Sequence, residues 1–255
     1  MESISEIRGR LNGAAESELP ELIALYKADA RSGVVKLAES FEKKLVALSK
    51  ERARMQEMFH YERLYPEVNY IGGIDEVGRG PLAGPVVACA VILPKDCDIL
   101  YLNDSKQVPE KKREELYDEI MAKALSVGIG CVSHTVIDEI NILQATFEAM
   151  RQAIDSMSVK PEHLLVDAVH IPGITIPQRG IIKGDAKSAS IAAASIVAKV
   201  TRDRMMCELD AKYPEYGFAK NKGYGSPEHI AALKQFGPCE IHRRSFIGGI
   251  LGERE

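Results

Sequence analysis

The first part of the chain has the apolar spacing of amphipathic helices. Ser17-Glu18-Leu19-Pro20 predicts a helix start, since proline is tolerated in the first helical turn. Apolar residues then recur at every third or fourth position, at Val34, Leu37, Phe41, Leu45 and Leu48. The helical pattern ends at Tyr65-Pro66. We therefore predict an N-terminal helical extension over residues 1–69.

After residue 69 the pattern changes to short apolar runs. Strands are predicted at 70–74, 86–93, 127–136, 164–166, 174–177 and 180–183, and the first two are joined by a glycine-rich loop. Helices are predicted at 109–125, 140–157, 188–209 and 227–236. Early strands followed by alternating helices and short strands indicate an α/β fold, with a mixed β-sheet flanked by helices and a C-terminal helical region. This domain is predicted to cover residues 70–255.

Acidic residues stand where several of these elements end. Asp75 and Glu76 follow the first apolar run, Asp167 follows the fourth, and Asp185 precedes the long helix. A hard cation such as Mg²⁺ takes oxygen ligands from several segments, and a buried carboxylate needs a compensating cation. The four acids together therefore predict a metal site at an edge of the sheet.

Each acid alone also has a structural explanation. Asp185 suits a helix N-terminus, Asp167 suits the start of a turn, and Asp75 with Glu76 suits a surface pair at a hairpin. The adjacent loop, Gly78-Arg79-Gly80, favours the metal site, because glycines let a backbone approach a ligand and a guanidinium suits phosphate. Carboxylates beside anion-binding groups are typical of metal-assisted phosphoryl chemistry.

The same glycines formally match a dinucleotide-binding fingerprint. The match is Gly78-x-Gly80-x-x-Ala83, and Asp98 lies about twenty residues further on. That fingerprint must open a helix, whereas the residues after Pro85 form a strand-like apolar run. Two carboxylates ahead of the first glycine would also repel a pyrophosphate. We therefore favour the metal site over a dinucleotide site.

Composition changes this interpretation little. The formal net charge is −4, yet from residue 181 onward 12 lysines and arginines stand against 9 acidic residues. No apolar run is long enough for a membrane helix, and the first residues do not form a secretory signal. The five cysteines are widely spaced and contain no Cys-x-x-Cys pair, which predicts reduced thiols in the cytoplasm.

Ordered motifs along the chain resemble those of bacterial type 2 ribonucleases H, and of the ribonuclease HII family in particular. The similarity runs from about Tyr70 to Gly248. Arginine at position 79, where ribonuclease HIII has lysine, favours the HII family. The motifs are Gly73-Ile74-Asp75-Glu76-Val77-Gly78-Arg79-Gly80-Pro81, Asn103-Asp104-Ser105-Lys106, Leu165-Val166-Asp167, Lys183-Gly184-Asp185, the small-residue segment 190–199, Lys222-Gly223-Tyr224-Gly225-Ser226 and His242-Arg243-Arg244-Ser245-Phe246.

The resemblance implies a ribonuclease H-like fold and metal-dependent chemistry. Asp75, Glu76, Asp167 and Asp185 match the family's metal-binding acids, which would hold two Mg²⁺ or Mn²⁺ ions during catalysis. The implied substrates are RNA–DNA hybrid duplexes and DNA with embedded ribonucleotides. Cleavage 5′ of the ribonucleotide would leave a 3′-hydroxyl and a 5′-phosphate, and we expect the enzyme to act as a monomer.

Other motif residues are implied in substrate binding. Gly78, Arg79 and Gly80 match the loop that senses the ribose 2′-hydroxyl, the group that distinguishes RNA from DNA. Tyr224 matches the tyrosine that stacks at the ribo–deoxyribo junction. Lys106 resembles a phosphate contact, and its segment also suits a turn before the helix at 109–125.

Four interpretations stay open at this point. The charged face of the extension 1–69 fits either a solvated helix or a grip on substrate. The chain fits an enzyme or, less well, an inactive nucleic-acid-binding protein on the same fold. Lys187, Lys199 and Arg202 are weak candidates for outward-facing phosphate contacts. His229 and His242 are interpreted as structural, because neither has metal-ligand spacing.

Overall fold

A computed structural model describes residues 2–252, and the chain separates into two compact units that meet between Gln56 and Glu57. The N-terminal unit is helical, as predicted, with α1 at Ile4–Gly13, α2 at Leu19–Lys27 and α3 at Ser32–Met58. Ser3 and Glu6 form a capping box that satisfies backbone N–H groups at the start of α1. The core of this unit consists of Ile7, Leu11, Ile23, Tyr26, Val34, Leu37, Ala38 and Phe41.

The larger unit contains one five-stranded mixed sheet, which confirms the predicted fold class. Its strands are β1 (Ile71–Val77), β2 (Val86–Ile92), β3 (Ser126–Val132), β4 (His163–Asp167) and β5 (Gln178–Ile181). The spatial order is β3-β2-β1-β4-β5. The pairs β1–β2 and β2–β3 are antiparallel, whereas β1–β4 and β4–β5 are parallel. Because β2 is a strand, the glycines before it do not open a helix and the dinucleotide fingerprint fails.

Helices of this unit follow the predictions at most positions. They are α4 (Glu110–Lys123), α5 (His134–Ser156), α6 (Ala189–Lys212), α7 (Phe218–Asn221), α8 (Pro227–Phe236) and α9 (Arg244–Leu251). Three strand predictions were wrong, wholly at 174–177 and in part at 127–136 and 180–183, since β5 begins at Gln178 and ends at Ile181. The third strand stops at Val132 because the Ser133 hydroxyl caps α5 by accepting from the Val136 N–H. Residues 174–177 lie outside the strands, and Ile174 and Ile176 pack against the core without joining the sheet.

The sheet is covered on both faces by the two longest helices of the unit. Helix α5 packs on β2 and β3, and α6 packs on β1 and β2. Ile74 belongs to the core formed with α5, whereas its neighbour Gly73 contacts the start of α6. Since successive strand residues face opposite sides, α5 and α6 lie on opposite faces. Every residue of β2 is buried, as expected for a strand between two helical layers.

Glycines allow both helices to approach the sheet closely. A Cβ atom on Gly73 would lie 2.1 Å from the carbonyl carbon of Ser190 in α6. On the other face, a Cβ atom on Gly130 of β3 would lie 1.9 Å from the carbonyl oxygen of Ala149 in α5. These distances are far below van der Waals contact, so a side chain at either position must push the helix away.

Substituting Gly130→Ala tests this packing. We expect the free energy of unfolding of the sheet unit to fall by about 1–3 kcal/mol, the usual cost of overpacking. Gly249→Ala is the matched control, because a Cβ atom there meets nothing within 4 Å in the exposed part of α9. Urea unfolding followed by circular dichroism measures both variants. Equal stability of the two variants would contradict close packing of α5 on β3.

Residues just after α3 belong to the larger unit and contact α6 and β4. Glu62 lies in a 3₁₀ turn, and its Oε1 atom accepts from the Ser188 hydroxyl at 2.7 Å and from the N–H and hydroxyl of Ser190, each at 2.9 Å. The carboxylate therefore caps the start of α6, where the helix dipole favours a negative charge. The ring of Tyr65 packs on the ring of His163 in β4, with centroids 3.9 Å apart.

Two truncations separate this contact from the helical unit. A chain starting at residue 57 keeps Glu62 and Tyr65, whereas one starting at residue 70 loses both. We expect the shorter chain to be less stable by about 1–3 kcal/mol, because buried donors at the start of α6 lose their acceptor. Thermal unfolding of the two truncations measures the difference, and Glu62→Ala in the full chain should reproduce much of it. Equal midpoints would show that the Glu62 cap contributes little.

Candidate active site

Three segments bring the four predicted acids to one end of the sheet. Asp75 and Glu76 lie inside β1, two residues and one residue before its last residue, and not after it as the apolar pattern suggested. Asp167 is the last residue of β4, and the parallel register Ile74↔Val166 places it beside Asp75. Asp185 lies in the 3₁₀ turn Gly184–Ala186, between β5 and α6. The neighbouring ends of β1 and β4 and this turn therefore meet at one point.

The electrostatics confirm that these carboxylates are close. Burial raises the pKa of Asp75 well above its usual value, and the charge of Glu76 raises it further. Burial also raises the pKa of Glu76, against the opposing effect of the Arg79 guanidinium. The pKa of Asp185 rises to about 6 through burial and the charges of Asp104 and Asp167. The charge of Asp167 acts on each of the other three acids, which places it at the centre of the group.

The donor set fits a divalent metal ion. All four side chains offer carboxylate oxygens, the ligands that Mg²⁺ and Mn²⁺ prefer. The Oε2 atom of Glu76 is buried and has no hydrogen-bond partner, so it is free to bind a cation. Within residues 2–252, no three side chains of ligand type already stand in ligating positions. A cation would therefore draw the acids together, and it would offset the burial and the mutual repulsion that raise the pKa of Asp75 and Asp185.

The backbone around Asp167 and Asp185 is tightly constrained. The Gly184 N–H donates to Oδ1 of Asp167 at 2.7 Å, which ties the turn to the end of β4. A side chain at Gly184 would meet Ile191 of α6 at 2.6 Å. Ala168 and Lys183 both adopt positive φ, a conformation that non-glycine residues take uncommonly. Short, strained connections therefore set the positions of these two acids.

The glycine-rich loop follows β1 directly and lies near Tyr224. Gly78 has a φ of +92°, and a Cβ atom there would lie 2.3 Å from Nε of Arg202. A Cβ atom on Gly80 would lie 3.8 Å from Cε1 of Tyr224, so the ring stands beside the loop. Tyr224 is 41% exposed and free to meet a ligand. The structure therefore places the predicted 2′-hydroxyl loop and the predicted stacking residue side by side.

Two fully buried arginines hold the loop from beneath. Arg243 donates to the carbonyl oxygens of Gly84, Arg79 and Gly78, at 3.0, 3.0 and 2.6 Å. Arg202 donates to those of Pro85, Lys222 and Ala83, at 2.9, 2.8 and 3.1 Å. Burial and the charge of Arg202 lower the pKa of Arg243 to about 9. The outward-facing interpretation of Arg202 was therefore wrong, because this side chain is enclosed and binds backbone carbonyls.

The remaining predicted residues lie at the edge of the site. Arg79 donates to Oε1 of Glu76 at 3.1 Å and remains 44% exposed. Lys106 is exposed, and its charge opposes the rise in the pKa of Asp185. The Lys106 N–H donates to the Asp104 carboxylate at 2.9 Å, which forms a turn before α4. The turn is therefore confirmed, whereas the contact of Lys106 with a phosphate stays a prediction.

Some residues of the site were given no role by the sequence. Arg243 lay in a recognised motif without an assigned role, and Glu62 lay in the extension. The hydroxyl of Ser195 opposes the rise in the pKa of Asp75 and donates to the Ser105 hydroxyl at 3.0 Å. Each acts across a long separation along the chain, so local spacing could not reveal it.

The fold and site define a nuclease of the ribonuclease H class. A family model described as ribonuclease HII matches residues 72–248, and one described as the ribonuclease HII N-terminal domain matches residues 3–66. The ribonuclease HII of Lachnoclostridium phytofermentans is 64% identical over 244 residues, which cover 96% of each chain. This chain therefore belongs to the ribonuclease HII family.

Solved structures agree with this assignment. The crystal structure of ribonuclease H2 from Pyrococcus horikoshii OT3 matches with a TM-score of 0.61 and 29% identity, covering 72% of this chain and 97% of that one. Bst-RNase HIII in complex with Mn²⁺ matches with a TM-score of 0.57 and 15% identity, covering 72% and 68%, and shows the same fold. The chain is a ribonuclease H, an endoribonuclease of RNA–DNA hybrids from a metal-dependent family. Within residues 2–252, no helix combines the length and apolar character needed to span a bilayer.

Substituting Arg243→Lys tests the support of the loop. Lysine keeps the charge but lacks the planar fork, so buried carbonyls of the loop lose their donors at about 1–3 kcal/mol each. We expect amide hydrogen exchange across residues 78–85 to accelerate about tenfold, with β3 unchanged. The control is Arg244→Lys, because Arg244 is the exposed neighbour. Unchanged exchange in the loop would mean that Arg243 does not hold it.

Proposed function

We propose that this enzyme cuts 5′ of ribonucleotides embedded in duplex DNA, as well as the RNA strand of hybrids. The products would carry a 3′-hydroxyl and a 5′-phosphate. The observation that carries this proposal is the position of Tyr224 beside Gly80, a few residues after the acids on β1. An exposed ring next to a close-approach backbone suits recognition of one sugar and its neighbour, in addition to a phosphate.

We propose that Asp75, Glu76, Asp167 and Asp185 hold two Mg²⁺ or Mn²⁺ ions. The raised pKa values and the unpartnered Oε2 of Glu76 support this proposal. The Mn²⁺ bound by the fold neighbour Bst-RNase HIII adds support. Bound metal ions would supply an activated water and stabilise the charge that develops on the leaving oxygen. The protein then needs no nucleophile of its own, only carboxylates that stay ionised around the cations.

The other residues would bind and orient the substrate. Loop backbone atoms at residues 78–80 would contact the 2′-hydroxyl, and Tyr224 would stack at the junction with deoxyribose. Arg79 would move from Glu76 to a phosphate once a cation occupies the acids, because the cation would compete for the Glu76 carboxylate and the Arg79 side chain is 44% exposed. Lys106 would contact a phosphate near Asp185. Affinity from such contacts decreases as salt increases. We further propose a monomer acting in the cytoplasm.

A duplex with one ribonucleotide, labelled at the 5′ end of the cut strand, tests the proposal. We expect a single cut at the phosphate 5′ of the ribonucleotide, no cut in an all-DNA duplex and no activity in excess EDTA. Asp75→Asn should reduce cleavage to near background while the substrate still binds, because the amide is a poor metal ligand. Asp155→Asn is the matched control, since Asp155 is an exposed acid on α5.

Other outcomes would reject specific parts of the proposal. Equal cutting of the all-DNA duplex would refute the recognition of ribose. Full activity in EDTA would refute the role of the metal ions. Normal turnover by Asp75→Asn would refute its role as a ligand. Binding without cleavage by the unmodified protein, with either metal present, would favour the inactive binding protein.

A further inference from the structure

Two buried histidines connect the backbone of Cys239, which precedes α9, with the backbone of Tyr224 through hydrogen bonds. The Nε2 atoms of His229 and His242 lie 3.0 Å apart. The Nδ1 atom of His229 lies 2.8 Å from the carbonyl oxygen of Tyr224. The Nδ1 atom of His242 lies 3.0 Å from the backbone nitrogen of Cys239 and 3.1 Å from its sulfur. Both side chains are almost wholly enclosed, with 0% and 1% exposed.

The two ends of this chain of hydrogen bonds fix its direction. The Tyr224 carbonyl can only accept, so Nδ1 of His229 must carry a proton. The Cys239 N–H can only donate, so Nδ1 of His242 must be bare. The remaining pair then has one arrangement in neutral rings, in which Nε2–H of His242 donates to Nε2 of His229. An additional proton on Nε2 of His229 would make it face the Nε2–H group of His242. An additional proton on Nδ1 of His242 would make it face the Cys239 N–H.

The surroundings keep both rings neutral. Tyr216 and Phe218 pack around them, with ring centroids 4.8 Å from His242 and 5.3 Å from His229. Burial lowers the pKa of His229, and burial together with the charge of its partner lowers that of His242 to about 4. The hydrogen bonds therefore keep one direction at neutral pH.

The series of hydrogen bonds through the two histidines ends at the carbonyl of Tyr224, the residue whose exposed ring lies beside Gly80. The Tyr224 carbonyl also accepts from the Ser226 N–H at 2.8 Å, and the Tyr224 N–H donates to the Asn221 carbonyl at 2.9 Å. His229 lies in the first turn of α8 and is the side chain that reaches this carbonyl. Fixing the peptide restricts where the ring can stand relative to the loop at residues 78–80.

We propose that His242 and His229 form a positioning relay that orients Tyr224 for recognition of the ribo–deoxyribo junction. The inference deepens the proposed function and rests on the stacking role of Tyr224. His229 and His242 touch no substrate themselves and are positioning residues. A simple packing role requires only that the rings fill space, whereas the relay requires a particular ring nitrogen to carry each proton.

Nuclear magnetic resonance of the full chain shows directly which ring nitrogen of each histidine carries a proton. The protein has six histidines, so labelling histidine with ¹⁵N gives a simple long-range ¹H–¹⁵N spectrum. At neutral pH we expect one neutral ring protonated at Nδ1, assigned to His229, and one protonated at Nε2, assigned to His242. His229→Asn and His242→Asn spectra make the assignments. The opposite tautomers, or a protonated ring in the pair, would overturn the relay.

Matched substitutions at His229 separate the relay from packing. Asparagine places its amide nitrogen as many bonds from the backbone as Nδ1, so it can still donate to the Tyr224 carbonyl. Glutamine places its amide at the position of Nε2 and loses that donor. The measurement is kcat/KM on a single-ribonucleotide duplex divided by kcat/KM on a continuous hybrid. We expect His229→Gln to lower this ratio about three- to tenfold, the usual effect of one hydrogen bond, and His229→Asn to preserve it.

Tyr224→Ala distinguishes failure of the relay from failure of the proposed function. An unchanged ratio in Tyr224→Ala would refute junction recognition by this ring and overturn the positioning role with it. A reduced ratio there, with equal ratios in the two His229 variants, would overturn the relay alone. If a variant loses its fold, both kcat/KM values fall together and their ratio stays unchanged. The ¹H–¹⁵N spectrum of the unmodified protein then decides whether the relay exists.

Discussion

A charged group that moves from water into a protein interior needs an opposite charge or several hydrogen bonds, because its desolvation costs several kcal/mol. Two sets of charges in the larger unit are buried in this way. Asp75 and Glu76 lie within β1 beside Asp167, where their like charges repel. Arg202 and Arg243 lie beneath the loop that follows the same strand. Among these carboxylates Glu76 has a cationic partner in Arg79, whereas the guanidinium groups are satisfied by backbone carbonyls.

This difference explains how one short segment combines the proposed metal site with a fixed loop. Five carbonyls of the loop, at residues 78, 79, 83, 84 and 85, accept from the two guanidinium groups, so the loop has little freedom. Gly78 must be glycine for two reasons, its positive φ and the close approach of Arg202. The acids, by contrast, remain short of partners, as the buried Oε2 of Glu76 illustrates. Hydrogen bonds to the two arginines therefore make the loop rigid. The acids, in contrast, keep negative charge that their neighbours only partly compensate.

The close approach of α6 determines where Asp185 stands. The helix starts a few residues after this acid, and its first turn lies on Gly73 without an intervening side chain. Gly184 likewise leaves room for Ile191. Glu62 holds the same turn from the other side by accepting from Ser188 and Ser190. Distances within the site therefore depend on small residues as much as on the acids.

Local patterns in the sequence predicted the sheet and the four acids, because burial of alternate faces and strand ends leaves a regular trace. They failed where distant groups decide the structure. Helix α9 contains two glycines and was missed, yet the Asp138 carboxylate accepts from the N–H groups of Arg244 and Ser245 and satisfies its first turn. Arg202 was given a solvent-facing role because its three acceptors lie far away along the chain.

The pairing of the two buried arginines with backbone carbonyls also affects how charge is distributed in the protein. A carboxylate partner would cancel each guanidinium charge, whereas carbonyl dipoles satisfy the N–H groups and leave the positive charge in place. The guanidinium of Arg202 lies 5.9 Å from the ring centroid of Tyr224, close to the proposed stacking surface. A net charge of −4 is therefore compatible with a polyanionic substrate, because uncancelled positive charge is placed beneath the loop that would meet it.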